Sequence, residues 1–258
     1  MKKKTLILIA ALSFAAAANA QEAKTMYVMK NGAVAYQSAV SDIDSIIFYE
    51  PSVVVDPLTY DEGVIINGVK WATRNLDAGG KFVENLEDYG ALYQWGRKAD
   101  GHESRTSATT TTLATTDTPG HSDFILTSSS PYDWRSPQNE FLWNSGTEIA
   151  PVKTANDPCP AGWRVPTQTE LASLGDGEWQ TTPAGRIFSD GSNTLFLPAA
   201  GYHSANSSAL YNVGSNGAYW SSTVNSTNAY NFYFSSSSVS ATDNDDRGLG
   251  FSVRCVAE

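Results

Sequence analysis

Cysteine, histidine and positive charge are scarce in this sequence. Its 258 residues include two cysteines, three histidines and 17 lysines and arginines, against 27 aspartates and glutamates. The shortage of basic residues excludes the positive face on which nucleic-acid and anionic-lipid binding depends, so we expect no nucleic-acid partner. His102, His121 and His203 lie in separate segments and lack the spacing of a zinc site.

Catalytic motifs are also missing. The sequence contains no Gly-x-Ser-x-Gly nucleophile elbow and no His-Glu-x-x-His zinc motif. Gly79-Gly80 does not precede a helix pattern, so no phosphate-binding loop is indicated. We therefore predict a protein without enzymatic activity. A carboxylate pair that does acid–base chemistry stays open, because a sequence does not show which carboxylates meet in space.

Long apolar runs are absent after the first 20 residues, which have the pattern of a secretory signal peptide. Lys2–Lys4 form a basic start, Thr5–Ala18 an apolar core, and Ala18-Asn19-Ala20 a small-x-small cleavage site with no cysteine beside it. We predict export to the periplasm, cell surface or extracellular space, without membrane insertion after signal cleavage. Without the three leader lysines, 14 bases stand against 27 acids, a net charge of about −13 that favours solubility.

Two cysteines in an exported chain favour one disulfide. Cys159 lies in the corner Asp157–Thr167, where three prolines exclude a regular helix and an interior strand. Cys255 lies in Gly250–Val256, which alternates like a strand. We predict a Cys159–Cys255 bond. In the chain-entropy model, closing a loop of roughly 100 residues stabilises the fold by roughly 4–5 kcal/mol.

The chain is predicted to contain two structural parts joined by a linker. Residues 21–51 form a small β module, with strands at Thr25–Lys30 and Ala33–Gln37 around a turn at Asn31-Gly32. A capped turn at 41–44 and a third strand at Ser45–Tyr49 complete the module. Residues 52–60 are the linker, and residues 61–258 form the main domain. The module is too small to hold a core alone, so we expect it to pack on a neighbour or a partner.

Helix signals are few in the main domain. Thr167 and Glu170 form a capping box that opens a short helix at Gln168–Leu174. The Thr-rich segment 104–118 is predicted to be a long exposed loop or a flexible insertion. A hairpin turn is predicted at Asn67-Gly68. Strands are predicted at 64–66, 69–72, 89–97, 185–189, 193–198, 209–212, 218–222, 229–234 and 250–256.

Six motifs in one order carry a family resemblance. They are Trp71-Ala72-Thr73-Arg74-Asn75-Leu76, Tyr89-Gly90-Ala91-Leu92-Tyr93, the corner 157–167 with Glu170-Leu171, and the segments 195–202, 217–223 and 250–255. Over residues 61–258 the chain resembles the Fibrobacter succinogenes major paralogous domain, a family of exported proteins in Bacteroidetes-type bacteria. The module at 21–51 looks like a unit that precedes extracellular domains in the same bacteria. The resemblance implies a C-type-lectin-like α+β fold with short strands, few helices, long loops and paired terminal strands.

Calcium is the one cofactor that this resemblance suggests, because many C-type lectins bind sugar through it. Asp243, Asp245 and Asp246 form the densest cluster of oxygen ligands and are the candidate metal residues. An EF-hand loop starting at Asp243 fails, since its fifth and twelfth positions are Arg247 and Arg254. A solvated acidic turn is the alternative interpretation.

Aromatic residues crowd the last third of the chain beside asparagine and serine. Tyr202, His203, Asn206, Tyr211 and Tyr219 are the candidate ligand-binding residues, because aromatic faces with polar neighbours suit sugars. The alternative is that aromatic residues here fill the core, which we expect for Trp163, Trp220 and Phe251.

These patterns together predict an exported, non-catalytic binding module whose partner is a glycan or a surface protein. A structural or adhesin-type, fimbria-associated subunit acting through protein contacts is the alternative. An enzyme on a formylglycine-generating-enzyme-like fold is the remaining alternative. It would need a redox or copper-binding cysteine pair, whereas both cysteines here are expected to be bonded to each other.

Overall fold

The computed structural model describes residues 25–30, 33–42 and 56–258. The chain divides into two compact units, Met1–Val53 and Val54–Glu258. In the smaller unit, β1 (Thr25–Lys30) pairs antiparallel with β2 (Ala33–Ala39), and a 3₁₀ turn follows at Val40–Asp42. The two strands confirm the prediction for that part of the module. The predicted turn at Asn31-Gly32 and the strand at Ser45–Tyr49 lie outside the described residues.

The larger unit is built from short strands and one short helix. In chain order they are β3 (Val64–Ile66), β4 (Val69–Trp71), β5 (Leu76–Asp77), β6 (Lys81–Phe82), β7 (Tyr93–Gln94), β8 (Thr109–Thr110), β9 (Phe124–Ile125), β10 (Trp163–Arg164), α1 (Gln168–Ala172), β11 (Glu178–Thr181), β12 (Ala184–Ser189), β13 (Thr194–Pro198), β14 (Tyr202–His203), β15 (Leu210–Tyr211), β16 (Asn216–Asn225), β17 (Asn228–Ser235), β18 (Val239–Asp246), β19 (Gly250–Phe251) and β20 (Val256–Ala257).

The predicted α+β class is wrong, because the fold is mostly β. The one α-helix among the described residues is α1, five residues long. Thr167 caps it, and both bonds of the predicted capping box with Glu170 are present. The helix stops early because Gly175 and Gly177 follow with φ of 70° and 59°, a left-handed backbone that ends helices. None of the helices in this part of the chain is long and apolar enough to cross a bilayer.

In the sheet β16-β17-β18, the strands β16 and β17 contribute buried residues from both faces, whereas β18 is half-exposed. Strand alternation sends Trp220 and Ala229 into one hydrophobic cluster, which also contains Trp95, Trp134 and Phe251. The opposite face of the sheet contributes to a second cluster through Tyr219, Phe232 and Phe234, together with Leu171 of α1 and Trp71 of β4. This sheet therefore forms the middle layer of the larger unit.

The C-terminal segment joins two other sheets. β19 pairs with β14 and β7, whereas β20 pairs with β10 and β4, in the sheet that β3 completes. The single strand predicted at Gly250–Val256 is therefore wrong. Between the two short strands, Arg254 turns inward and donates from Nε and Nη2 to Asn75 Oδ1, at 3.0 and 2.7 Å, and this bend interrupts the ladder.

The Thr-rich segment 104–118 is attached to the body at several points. β8 pairs in parallel with β9, and Ala114 forms an isolated bridge with Arg135. Arg105 donates to the carbonyls of Gly90 and Ala200, at 2.7 and 3.0 Å. The segment is therefore held against the body, although its threonine side chains are mostly at the surface.

The predicted disulfide between the corner 157–167 and the C-terminal segment is present. Cys159 and Cys255 form a disulfide with Cα atoms 6.1 Å apart, and both residues are buried. Asp157 holds the corner from inside, because its two carboxylate oxygens accept the N–H groups of Cys159 and Val165, at 2.9 and 2.8 Å. The prolines of the corner remove donors, so these two side-chain acceptors replace a regular backbone ladder.

Removing the disulfide is expected to lower stability strongly. The Cys159→Ala/Cys255→Ala variant should lose up to about 4–5 kcal/mol of unfolding free energy, because its unfolded chain is no longer crosslinked across 96 residues. Urea unfolding of both proteins, with and without reductant, measures this loss. Reductant should lower the midpoint of the wild type and leave that of the variant unchanged; equal midpoints for both proteins would contradict the role of the bond.

Asp157 is expected to make stability fall as pH rises. Its side chain is 1% exposed, and burial raises the pKa of this carboxyl to about 6, although Lys153 and two N–H donors favour the charged form. The folded protein thus holds the proton more tightly than the unfolded chain. Between about pH 4 and 6 the contribution of Asp157 to the unfolding free energy should fall by up to about 3 kcal/mol.

The matched variant for this pH dependence is Asp157→Asn, which does not titrate. The measured quantity is the wild-type minus variant difference in unfolding free energy at several pH values. The difference should decrease from about pH 4 to 6 and stay constant above. A flat difference across that range would show that burial does not perturb this carboxyl.

Candidate functional site

Two tyrosines of the candidate ligand-binding set stack at the surface. Tyr202 and Tyr211 are directly opposed in the β14–β15 hairpin, so their side chains project from the same face. Their ring centroids are 5.7 Å apart with planes inclined by 25°. Tyr211 is 46% exposed and Tyr202 is half-buried, with its ring edge-on to Phe251 at 6.0 Å. The hairpin therefore presents a pair of nearly parallel rings on a rigid support.

The acidic cluster lies in a strand and not in the predicted turn. In β18, Asp243 pairs with Asn231 and Asp245 pairs with Ala229. Pleating places Asp243, Asp245 and Asn231 on one face of the sheet, and Asp246 on the other. Asn231 Nδ2 donates to Asp245 Oδ2 at 3.0 Å. The interpretation as a solvated turn is therefore wrong for these three aspartates.

The tyrosines and the aspartates lie in the same part of the larger unit, because Tyr202 and Tyr233 pack against one hydrophobic cluster and Tyr233 follows Asn231, the partner of Asp243, by two positions in β17. Burial raises the pKa of Tyr202, and the charge of Asp245 raises it further. Burial also raises the pKa of Tyr233 in β17, and Tyr202, Asp243 and Asp245 add to that effect. We call Tyr202, Tyr211, Tyr233, Asp243 and Asp245 the tyrosine–aspartate surface. It brings together members of two candidate sets, the tyrosines and the aspartates, that are 32–43 residues apart in the sequence.

The negative charge of this surface is not neutralised by a basic side chain. Burial raises the pKa of Asp245 to about 6, and the adjacent charges of Asp243 and Asp246 oppose its ionisation. No lysine, arginine or histidine in the part of the chain that the structure describes forms an ion pair with Asp243, Asp245 or Asp246. The surface can therefore accept hydrogen bonds and attract a cation.

Three other candidate ligand-binding residues, Tyr219, His203 and Asn206, are not part of the tyrosine–aspartate surface. Tyr219 is fully buried, where its hydroxyl donates to the Pro198 carbonyl at 2.8 Å, and burial raises its pKa to about 12. His203 is buried under Phe124, with ring centroids 3.7 Å apart, and burial lowers its pKa. Asn206 is exposed in the loop between β14 and β15.

The three aspartates do not form a convergent metal site. Among the described residues, the group that brings three ligand atoms within 4.8 Å is Asp100, His102 and Glu103, which sequence reasoning missed because it treated the histidines as unrelated. Its ligand atoms are already engaged. His102 Nε2 accepts the Gln94 N–H at 3.0 Å, so the ring proton is on Nδ1, 2.8 Å from Asp100 Oδ1. This group is therefore a buried hydrogen-bond network.

A separate groove of about 580 Å³ lies beside the corner. Its floor includes Trp163, and Lys70 Nζ lies 5.8 Å from the indole centroid. Asp61, also in its wall, already accepts from Thr73 and Arg74. Because the Asp61 carboxylate is already hydrogen-bonded in this way, the groove does not present a pair of carboxylates for acid–base chemistry. Both cysteines are bonded to each other, so the chain also has no free thiol for formylglycine-type chemistry.

One family model matches part of the chain. Residues 164–256 are similar to a domain of unknown function (DUF8237), and this range contains the whole tyrosine–aspartate surface. No curated protein and no solved structure matches the chain. The comparisons therefore leave the ligand to be inferred from the geometry of the surface.

Removing the hydroxyl group is expected to destabilise the protein at the buried Tyr219 and not at the exposed Tyr211. Tyr219→Phe should cost roughly 1–3 kcal/mol of unfolding free energy, because Pro198 O loses a buried donor and Asn75 Nδ2 loses one acceptor. Tyr211→Phe should change stability by less than about 0.5 kcal/mol. Urea unfolding of both variants measures this, and equal costs would contradict the assignment.

Proposed function

We propose that this chain is an exported, non-catalytic binding module of the bacterial cell envelope or secretome, and that it binds a glycan at the tyrosine–aspartate surface. The observation that carries the proposal is the stack of Tyr202 and Tyr211, in which Tyr211 is exposed and the charge of Asp245 acts on Tyr202. A tyrosine ring packs against the C–H face of a sugar, while phenol and carboxylate oxygens accept bonds from its hydroxyl groups.

The rest of the proposal comes from the sequence. The signal-peptide pattern of residues 1–20 supports export to the periplasm, cell surface or extracellular space. The ordered motifs support a relationship between residues 61–258 and the Fibrobacter succinogenes major paralogous domain family. A small β module at 21–51 and a linker at 52–60 complete the proposed domain organisation. The ligand itself is proposed from the surface and not from the family.

A second function, a structural or adhesin-type subunit, is favoured by the smaller unit. Within the described residues its sheet has two strands, β1 and β2. Tyr27, Val34 and Tyr36 are all more than half exposed on these strands. A narrow sheet with exposed apolar residues can add a strand from another protein, which gives contacts without a glycan.

A glycan array distinguishes the two functions. The exported chain should give hits, and Tyr211→Ala should weaken binding to them at least tenfold, about 1.4 kcal/mol, because it removes the more exposed of the two stacked rings. The matched control is Phe141→Ala, which removes an exposed aromatic ring outside the surface and should leave binding unchanged. An array without hits, together with self-assembly on size-exclusion chromatography, would contradict glycan binding and favour the second function.

A further inference from the structure

The groove beside the corner carries one charge that is not neutralised, and that charge is positive. Its wall contains one carboxylate, Asp61, whose oxygens accept from two backbone N–H groups at 2.8 and 3.0 Å and from Arg74 Nε at 3.1 Å. Lys70, the other charged residue of the wall, is exposed and forms no ion pair with a carboxylate in the part of the chain that the structure describes. In a chain with 27 acidic and 17 basic residues, a free ammonium group in a groove favours an anionic ligand there.

A second donor in the groove is the indole N–H of Trp163. This residue is 6% exposed and lies in the floor, edge-on to Phe82 with ring centroids 5.9 Å apart. Trp95, Trp134 and Trp220 donate their indole N–H groups to backbone carbonyls, at 2.8, 2.7 and 2.8 Å. Trp163 Nε1 has no acceptor among the described residues, and it is not one of the polar atoms that are enclosed without a partner, so it reaches the surface. The buried ring thus presents an unpaired donor at the groove, and an oxygen atom of a ligand would satisfy it.

The sheet places these two donors near each other. Trp163 of β10 is paired with Ala257 of β20, and Val256 is paired with Trp71 of β4. Ala257 is therefore beside Lys70, so Trp163, Ala257 and Lys70 form a row across one face of the sheet. Lys70 Nζ lies 5.8 Å from the centroid of the indole. The ammonium group and the indole N–H can therefore both contact one small anionic group, such as a carboxylate.

The sheet edge beside the groove is not free to receive a peptide strand. β10 is the edge strand of its sheet. The backbone N–H of Trp163 donates to the Pro160 carbonyl at 3.0 Å, and the Trp163 carbonyl accepts from Lys153 Nζ. An extended peptide therefore finds no unpaired backbone group at Trp163. Tyr60 at the rim instead offers a ring that is 57% exposed, which suits the C–H face of a sugar.

We propose that this groove is a second binding site, which takes the carboxylate of an acidic sugar. The carboxylate pairs with the Lys70 ammonium group and accepts the indole N–H of Trp163, while the sugar ring packs against Tyr60. The inference goes beyond the proposed function, because no residue of the groove belongs to the tyrosine–aspartate surface and the groove selects the opposite charge. A neutral sugar of the same shape would leave the ammonium group unpaired.

Two probe ligands test this directly. They are xylotriose that carries one glucuronic acid residue and the methyl ester of the same oligosaccharide, which keeps the sugar rings and loses the charge. By calorimetry at low ionic strength, the acid should bind roughly fivefold more tightly than the ester, and added salt should reduce the preference. Equal or tighter binding of the ester, binding of neither probe, or a Lys70-dependent preference for an acetylated acidic tripeptide over the acid would overturn the inference. The Tyr211-dependent hits on the glycan array test the proposed function separately.

The charge-removing variant is Lys70→Gln, at an exposed position where the thermal midpoint should stay the same. It should bind the two probes within about twofold of each other, because the groove is kept and the ion pair is lost. Lys98→Gln is the matched control: it changes the net charge equally outside the groove and should keep the preference. A preference for the acid that survives Lys70→Gln would contradict the inference. If Tyr211→Ala abolished that surviving preference, the inference would fall and the proposed function would stand.

Discussion

The segment from Arg247 to Val256 is the constraint on which the larger unit depends. It contributes β19 to one sheet and β20 to another, and between them the Ser252 carbonyl accepts the Trp220 N–H at 3.0 Å. The Cys255 carbonyl accepts the Ala72 N–H at 2.9 Å, while its side chain is bonded to Cys159. Strands of two or three residues have short ladders of their own. A shared segment therefore helps to fix the relative positions of these sheets, in addition to the bridge between Gly201 and Gly217.

Arg254 gives this segment its specific position. The guanidinium is fully buried and donates to Asn75 Oδ1 and to the carbonyls of Ala72, Thr73 and Phe196, and burial lowers its pKa to about 10. Because all three guanidinium nitrogens donate to oxygen acceptors, the buried charge is tolerated without a paired carboxylate. The same segment places the candidate site, since it begins after the aspartates of β18 and then pairs with the hairpin that carries Tyr202.

Features that depend on neighbouring residues could be predicted from the sequence, whereas features that depend on strand pairing and packing could not. The capping box at Thr167 and the Asn67-Gly68 turn, with φ of 50° and 85°, depend on neighbouring residues, and the disulfide needed only a count of cysteines in an exported chain. A run of acidic residues by itself favours a solvated turn, whereas pairing with Asn231 places Asp243 in a strand. Tyr211 and Tyr219 look alike in sequence, and only the packing of the sheets shows which of them is buried.

The most direct test of this account is native-state hydrogen exchange of the oxidised protein. The amides of Ala72, Leu76 and Trp220 all donate to carbonyls of the C-terminal segment. If that segment holds the sheets together, these amides should exchange only through global unfolding, with the same free energy as the slowest amides of β17. Exchange of the three amides through a smaller local opening, while β16–β18 stays protected, would show that the segment is an accessory and not the organising constraint.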